Sequence, residues 1–353
     1  MFTLARWLGP WANTSKVPRV ASVDEELDGI RVRTFGSPRG RTFLVAPGLH
    51  YAGPDDPRMD RFCRILAASG HHVIAPFVPS YLALTPNAEA IADFMRVAEA
   101  VERTRDPNHA KPILFSISFG SLLAFAVAAE RPELVDRLVI FGGYADFHET
   151  MTFCLTGNVP SGRAATRDPL NQPVVLLNLL DYILPAVRGE PGQLHSGHDR
   201  EETEALMRGW RAYVERTWGR PEMKVDRAFV KVAEELAPSV PASIRELFLV
   251  GIGAKPGAWE LAVPALEKFD ATSLDPSPYV SRVKCRVDLV HGMDDDVIPF
   301  EQSQVLAGKL VNASGVRTHI TGMYGHTAAH RPPVTAMAKE LLTMIRVLRV
   351  LAG

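Results

Sequence analysis

Apolar and polar positions recur along this chain with two different periods. Ile30 to Phe35 switches between apolar and charged residues, the pattern of an edge strand with one wet face. After the turn residues Gly36 to Gly40, Thr42 to Ala46 becomes apolar in its second half and reads as the next strand. Between Asp60 and Ala68 the period is helical, with Phe62, Ile65 and Leu66 spaced for one buried face. His72 to Ala75 predicts another short strand, and Ala88 to Arg103 an amphipathic helix. Ile113 to Phe115, opened by Pro112, predicts a buried strand, and the Ala- and Leu-rich run Leu122 to Ala129 a buried helix. Leu138 to Phe141 is a further strand, closing in Gly142 and Gly143. Strands alternating with helices at this spacing predict a parallel sheet covered on both faces.

The rhythm changes at Tyr144. From there to Ala271 the pattern predicts helices and loops without strands. Val174 to Leu184 is strongly apolar, Pro185, Pro191 and Gly192 mark a loop, and Asp199 to Trp218 predicts a long amphipathic helix with Asp199 near its cap. Strands resume after Cys285 with Val287 to His291 and Val316 to Ile320, separated by a helix from Gln302 to Leu310. A Leu- and Met-rich helix from about Val334 to Leu351 closes the chain. The fold class is therefore α/β, a mostly parallel central sheet flanked by helices. Residues 1–143 and 272–353 form the core, and residues 144–271 are inserted as a helical cap.

Composition narrows the functional classes. The chain has 353 residues, 46% hydrophobic and 22% charged, enough for one large domain with an insertion. A formal net charge of -1 gives no reason to expect a nucleic-acid partner. The cysteines, Cys63, Cys154 and Cys285, are far apart and form no C-x-x-C pair, so neither a disulfide framework nor a zinc site is expected. That usage points to a reducing, cytoplasmic compartment. The N-terminus lacks the uninterrupted apolar core of a signal peptide, because Arg6 and Pro10 break it. Phe2, Leu4, Trp7, Leu8 and Trp11 predict one face of a short helix docked on the protein's own surface, with contact to a membrane surface as the minority alternative. His195-Ser196-Gly197-His198-Asp199 holds metal-ligating residue types, but a glycine-rich loop is a poor ligand scaffold and reads as polar surface. Gly251-Ile252-Gly253 lacks the third glycine of a dinucleotide fingerprint. No metal and no cofactor are expected.

The chemistry centres on Ser116-Ile117-Ser118-Phe119-Gly120, between the strand after Pro112 and the helix from Leu122. A strand that turns sharply into a helix holds the turn residue in strained geometry and exposes its side chain at the carboxyl edge of the sheet. Chain crowds both sides of such a turn, so positions two before and two after must be small; here they are Ser116 and Gly120. Ser118 is the candidate nucleophile, and the N–H of Phe119 a candidate oxyanion donor. The bland alternative is a serine that merely caps a helix. The five residues resemble the G-x-S-x-G nucleophile elbow of the α/β-hydrolase family, with Ser116 in place of the first glycine.

That resemblance extends to three other strand ends. His291 to Pro299 resembles the family's acid loop, H-G-x-x-D-x-x-V-P, which implies Asp295 as the acid, with Ile298 in place of valine. Asp146, after the preceding strand, is where some members place the acid instead, although capping the next helix accounts for it. His326 follows the last strand in a glycine-containing loop and is implied as the base, with His330 as the nearby competitor. Pro47-Gly48-Leu49 resembles the family's H-G-x segment, which assigns the second oxyanion N–H to Leu49. Ser118, Asp295 and His326 also fall in the family's chain order.

The resemblance implies a carboxylesterase- or lipase-like serine hydrolase that cleaves a carboxylic ester or related acyl bond through an acyl-enzyme. Its partner would be a small-molecule substrate with a hydrophobic part. An acyltransferase on the same triad is the first alternative, and a non-catalytic binding protein of the same fold the second. Serine at the elbow argues against the branches that use aspartate there.

Overall fold

The acidic segment ahead of the first expected strand is itself a strand. β1 (Ser22–Leu27) pairs antiparallel with β2 (Ile30–Phe35), so that β2, expected at the sheet edge, is covered. β1 has the sequence SVDEEL and no apolar face, which is why periodicity does not reveal it. Its antiparallel ladder with β2 holds it, and exposed ion pairs add to that: Asp24 stands opposite Arg33 and accepts from Arg33 Nε at 2.6 Å and from Arg31 Nε at 3.1 Å. Asp28-Gly29 makes the turn with φ of 49° and 80°, the left-handed pair that a two-residue hairpin of this handedness needs. That Asp-Gly dipeptide is the sequence signal that could have found β1.

The computed structural model describes residues 1–9, 12–188, 197–322 and 337–353. They form two compact units, one of residues 1–147 and 272–353, the other of residues 148–271. In the first unit β3 (Thr42–Ala46), β4 (His72–Pro76), β5 (Ile113–Ile117), β6 (Arg137–Phe141), β7 (Arg286–Gly292) and β8 (Gly315–Thr321) complete an eight-stranded sheet of order β1-β2-β4-β3-β5-β6-β7-β8. β3 to β8 run parallel, and β2 runs antiparallel to β4. The chain leaves β3 for β4 on one side and returns to β5 on the other. Between the carboxyl ends of β3 and β5 it therefore opens the crevice in which doubly wound sheets hold their ligands.

α1 (Phe2–Leu8) and α2 (Pro57–Ala68) pack on one face of this sheet. Leu4 is fully buried there, with Trp7 and Leu8 against the same core, while Phe2 points to solvent. Asp56 caps α2 by accepting from the amides of Arg58 and Met59. α3 (Pro79–Leu82) and α4 (Glu89–Thr104) precede α5 (Gly120–Glu130), which is apolar on every side because it is enclosed by the sheet and α4.

Among its described residues the second unit is helical: α6 (Phe147–Thr156, beginning at the boundary), α7 (Gln172–Asn178), α8 (Leu180–Arg188), α9 (Gly197–Thr217), α10 (Phe229–Leu236), α11 (Arg245–Gly251) and α12 (Ala258–Lys268). The apolar run expected as one helix breaks at Leu179 into α7 and α8. Pro185 lies inside α8 rather than in the loop, with buried Ile183 and Leu184 holding the turn it weakens. Pro191, Gly192, His195 and Ser196 lie outside the described residues. Gly251 has a packing role: a Cβ there would stand 2.3 Å from the ring of buried Trp210, whose indole N–H donates to the Phe248 carbonyl at 3.2 Å.

Back in the first unit, α13 (Ser277–Val280) packs on α5 and α14 (Glu301–Lys309) on β7 and β8. α15 (Met337–Leu351) joins α1 and α2 over a core of Phe43, Val45, Phe115, Val139 and Val290.

Candidate active site

Ser118 occupies the turn between β5 and α5 with φ of +53°, a conformation a non-glycine residue adopts at a cost of about 1–3 kcal/mol. Backbone bonds over-determine it. The Ser118 N–H donates to the Phe141 carbonyl of β6 at 2.9 Å, and its carbonyl accepts from the Ser121 N–H at 3.0 Å. Two residues on, a Cβ at Gly120 would stand 2.2 Å from the Ala46 carbonyl oxygen and 2.6 Å from that of Pro47, so only glycine fits. Two residues before, Ser116 is fully buried, and its hydroxyl has no hydrogen-bond partner among the described residues. Phe119 begins α5 in helical geometry, and its carbonyl accepts from the hydroxyl of fully buried Tyr81 at 3.0 Å.

The loop after β3 lies against this turn. A Cβ on Gly48 would stand 3.3 Å from the Ile117 carbonyl oxygen and 3.5 Å from Ser118 Cβ. Leu49 lines the same cavity as Ser118.

Asp295 follows β7. Of the three consecutive aspartates it is buried, whereas Asp294 is exposed and Asp296 half-buried. Its Oδ1 accepts from the N–H groups of Val297 at 2.9 Å and Ile298 at 2.8 Å, which locks the carboxylate in one orientation. His291, fully buried, braces this loop through its Nδ1 contact with Ser303 Oγ at 2.6 Å and its Nε2–H donation to the Ile298 carbonyl at 2.8 Å. Asp146 is half-buried, and its N–H donates to Gln302 Oε1 at 2.9 Å. His326 and His330 lie outside the described residues. The described part of the site thus brings together Ser118, Phe119, Gly48 and Leu49, with Asp295 at the end of a strand two positions from β5 in the sheet.

Sequence reasoning passed over His50, which lines the cavity beside Leu49. Its Nδ1 accepts from the Ala52 N–H at 3.2 Å, and its Nε2 stands 3.3 Å from both Asp56 Oδ2 and Arg58 Nη2. Asp56 in turn accepts from Arg58 Nε at 3.0 Å. His50 therefore ties the loop after β3 to the start of α2; the signal was the helix-capping Asp56-Pro57 a few residues downstream. Burial pushes the His50 imidazole down to about 4, with Asp56 opposing the shift and Arg58 adding to it. A folded-state value below the unfolded one means the unfolded chain takes the proton first as pH falls. Stability from this group is full above about pH 6.5 and is lost as pH drops towards 4, by up to about 3 kcal/mol. Urea unfolding at pH 7, 5.5 and 4.5 should show that loss in the wild type and less of it in His50→Gln. Burial lowers His71 and His72 as well, so the difference between the two proteins is the reading that isolates His50.

A cavity of about 290 Å³ runs from Ser118, Gly48 and His50 along the face of the sheet that α2 and α15 cover. Its wall is mostly apolar, with Ile117, Phe141, Met59 and Val347 among the lining residues, and His50, Asp56 and Arg58 supply its polar end.

No protein-family model and no curated protein matches this chain. Solved structures similar to it include an acylaminoacyl peptidase from Pyrococcus horikoshii at 12% identity and TM-score 0.49, covering 96% of this chain and 43% of that one. An esterase from Pyrococcus furiosus is similar at 13% identity and TM-score 0.47, covering 97% of this chain and 93% of that one. A serine hydrolase from Cycloclasticus zankles is similar at 13% identity and TM-score 0.43, covering 94% and 98%. This chain spans less than half the length of the peptidase. The fold itself is read from the sheet: one reversed strand, β2, inside an otherwise parallel order β2-β4-β3-β5-β6-β7-β8, with a strained serine on the turn after β5. In that topology and that turn, this chain has the fold of the α/β-hydrolase family.

Proposed function

We propose that the protein is a serine hydrolase acting on carboxylic esters or related acyl bonds, with Ser118 as nucleophile. The observation that carries this reading is the left-handed backbone of Ser118 on the turn between β5 and α5, with the Gly48 loop packed against it. Ser118 Oγ attacks the acyl carbon as His326 takes its proton, and the N–H groups of Leu49 and Phe119 receive the developing oxyanion. The leaving alcohol departs with the proton from His326, and water then attacks the acyl-enzyme by the reverse route to release the acid. Asp295 orients His326 and stabilises its protonated form. Its locked carboxylate suits that role, because a pre-set acceptor pays no reorganisation during the reaction.

The apolar cavity beside Ser118 supports a hydrophobic acyl chain as the substrate's non-reacting part. A fluorophosphonate probe should label the wild type on Ser118, and 4-nitrophenyl esters of graded length should be cleaved best at medium chain length. Met59→Trp, which fills the cavity, should shift that preference to shorter chains and leave acetate turnover within a few-fold. Peptide mapping of the adduct to another serine would remove Ser118 from its role. Product analysis with added alcohol or amine measures how far transfer competes with hydrolysis.

A further inference from the structure

At the opposite edge of the sheet, where β6, β7 and β8 begin, lies a concavity of about 750 Å³ lined by Arg137, Arg286, Arg317, His319, Arg346 and Arg349. Strand geometry assembles it. Arg137 and Arg286 are directly opposite each other on neighbouring parallel strands, an arrangement that costs stability when nothing separates the charges. The period of two puts Asp288 on the same face as Arg286, and its Oδ1 accepts from Arg286 Nη2 at 3.1 Å. α15 adds Arg346 and Arg349 from above.

Charge within this concavity is far from balanced. Five guanidiniums line it, and the carboxylate beside them is Asp288, paired with Arg286. Arg317, Arg346 and Arg349 form no ion pair among the described residues, and the sequence from 323 to 339 holds no aspartate or glutamate. Arg137 Nε and Arg286 Nε are buried without a hydrogen-bond partner among the described residues. His319 Nε2, also buried, stands 3.7 Å from Asp288 Oδ1, beyond bonding reach. Burial, together with the like charges of Arg286 and Arg41, lowers the Arg137 guanidinium below its usual range, with Asp288 and Asp136 opposing. The neighbouring Arg41 is itself paired with Asp136.

We propose that this concavity binds a small molecule carrying two or more phosphate groups. Guanidinium forks match phosphate oxygens two at a time, and five arginines against the one carboxylate of Asp288 leave an excess of four positive charges, which corresponds to a ligand with several phosphate charges rather than a monocarboxylate. A hollow of this volume holds a small ligand, whereas a membrane surface would be met by a convex or flat basic patch. The site lies at the amino ends of the parallel strands, whereas Ser118 stands at their carboxyl ends; α15 lines both hollows, which meet at Val350.

Calorimetric titration with inorganic pyrophosphate tests this, alongside ADP, adenosine and vesicles of phosphatidylglycerol. Pyrophosphate should bind at micromolar to low millimolar concentration, less tightly as salt rises, and adenosine should not bind. Arg317→Gln/Arg349→Gln, at two exposed positions, should weaken binding at least tenfold and leave ester turnover unchanged. The corresponding double Lys variant should recover part of the affinity. ADP binding more tightly than pyrophosphate would identify a nucleotide as the ligand; equal binding would identify the diphosphate alone. Absence of pyrophosphate binding, equal binding to the Gln variant, or binding to vesicles only would each overturn the proposal.

Discussion

Ser118→Ala should lower turnover of a short ester by about four orders of magnitude or more, with the purified protein still folded. The hydroxyl is the only group on that side chain able to form the acyl-enzyme. What remains after its loss is whatever the oxyanion donors and substrate binding achieve alone. The backbone of the turn predicts a second, opposite effect. Ser118 holds φ of +53°, which alanine tolerates as poorly as serine does and glycine tolerates freely. Ser118→Gly should therefore raise the unfolding free energy by about 1 kcal/mol while abolishing activity as fully as alanine does. Thermal or urea unfolding of the three proteins, set beside their ester turnover, reads both effects. Retained turnover in either variant would remove Ser118 from the chemistry. A stability loss in Ser118→Gly would mean that the turn is not strained.

Asp295→Asn should reduce turnover by up to about four orders of magnitude, and Asp294→Asn, Asp296→Asn and Asp146→Asn by much less. The substitution is unusually clean at this position. Asp295 Oδ1 accepts from the Val297 and Ile298 amides, and an asparagine oxygen can accept from both, so the loop after β7 keeps its shape. What disappears is the charge that stabilises the protonated base, and the amide group of asparagine can favour the wrong tautomer. Asp294 is exposed and Asp296 half-buried, and adjacent side chains in a turn point in different directions. If Asp146→Asn proves the crippled variant and Asp295→Asn stays near wild type, the acid is Asp146 and the nucleophile assignment is untouched.

The parallel strands β3 to β7 were legible because each is buried along most of its length on both faces and so appears in the sequence as a short apolar run. Thr42 to Ala46, Ile113 to Phe115 and Leu138 to Phe141 fall in or on the observed strands for that reason. The elbow was legible for a different one: a sharp strand-to-helix turn tolerates only small residues at its flanks, and the 2.2 Å approach of the Ala46 carbonyl at Gly120 is the physical form of that rule. β1 was not legible from periodicity, because SVDEEL has no apolar face and is held by its antiparallel ladder to β2. Nor was the break at Leu179, since a continuous apolar run carries no period to interrupt.

By itself, then, the amino-acid sequence determined the α/β layering, the position of Ser118 on the turn after β5 and the candidate loops after β3, β7 and β8, because burial and steric crowding act locally on residue type. Only the tertiary structure decided which of three adjacent aspartates is buried, that His50 is tied to Asp56 at the start of α2, and that five arginines from three strands and α15 meet in one hollow. Those outcomes depend on residues far apart in the chain arriving at the same place. Spacing along a sequence does not encode such arrivals; the strand order and the packing of α2 and α15 on the sheet create them.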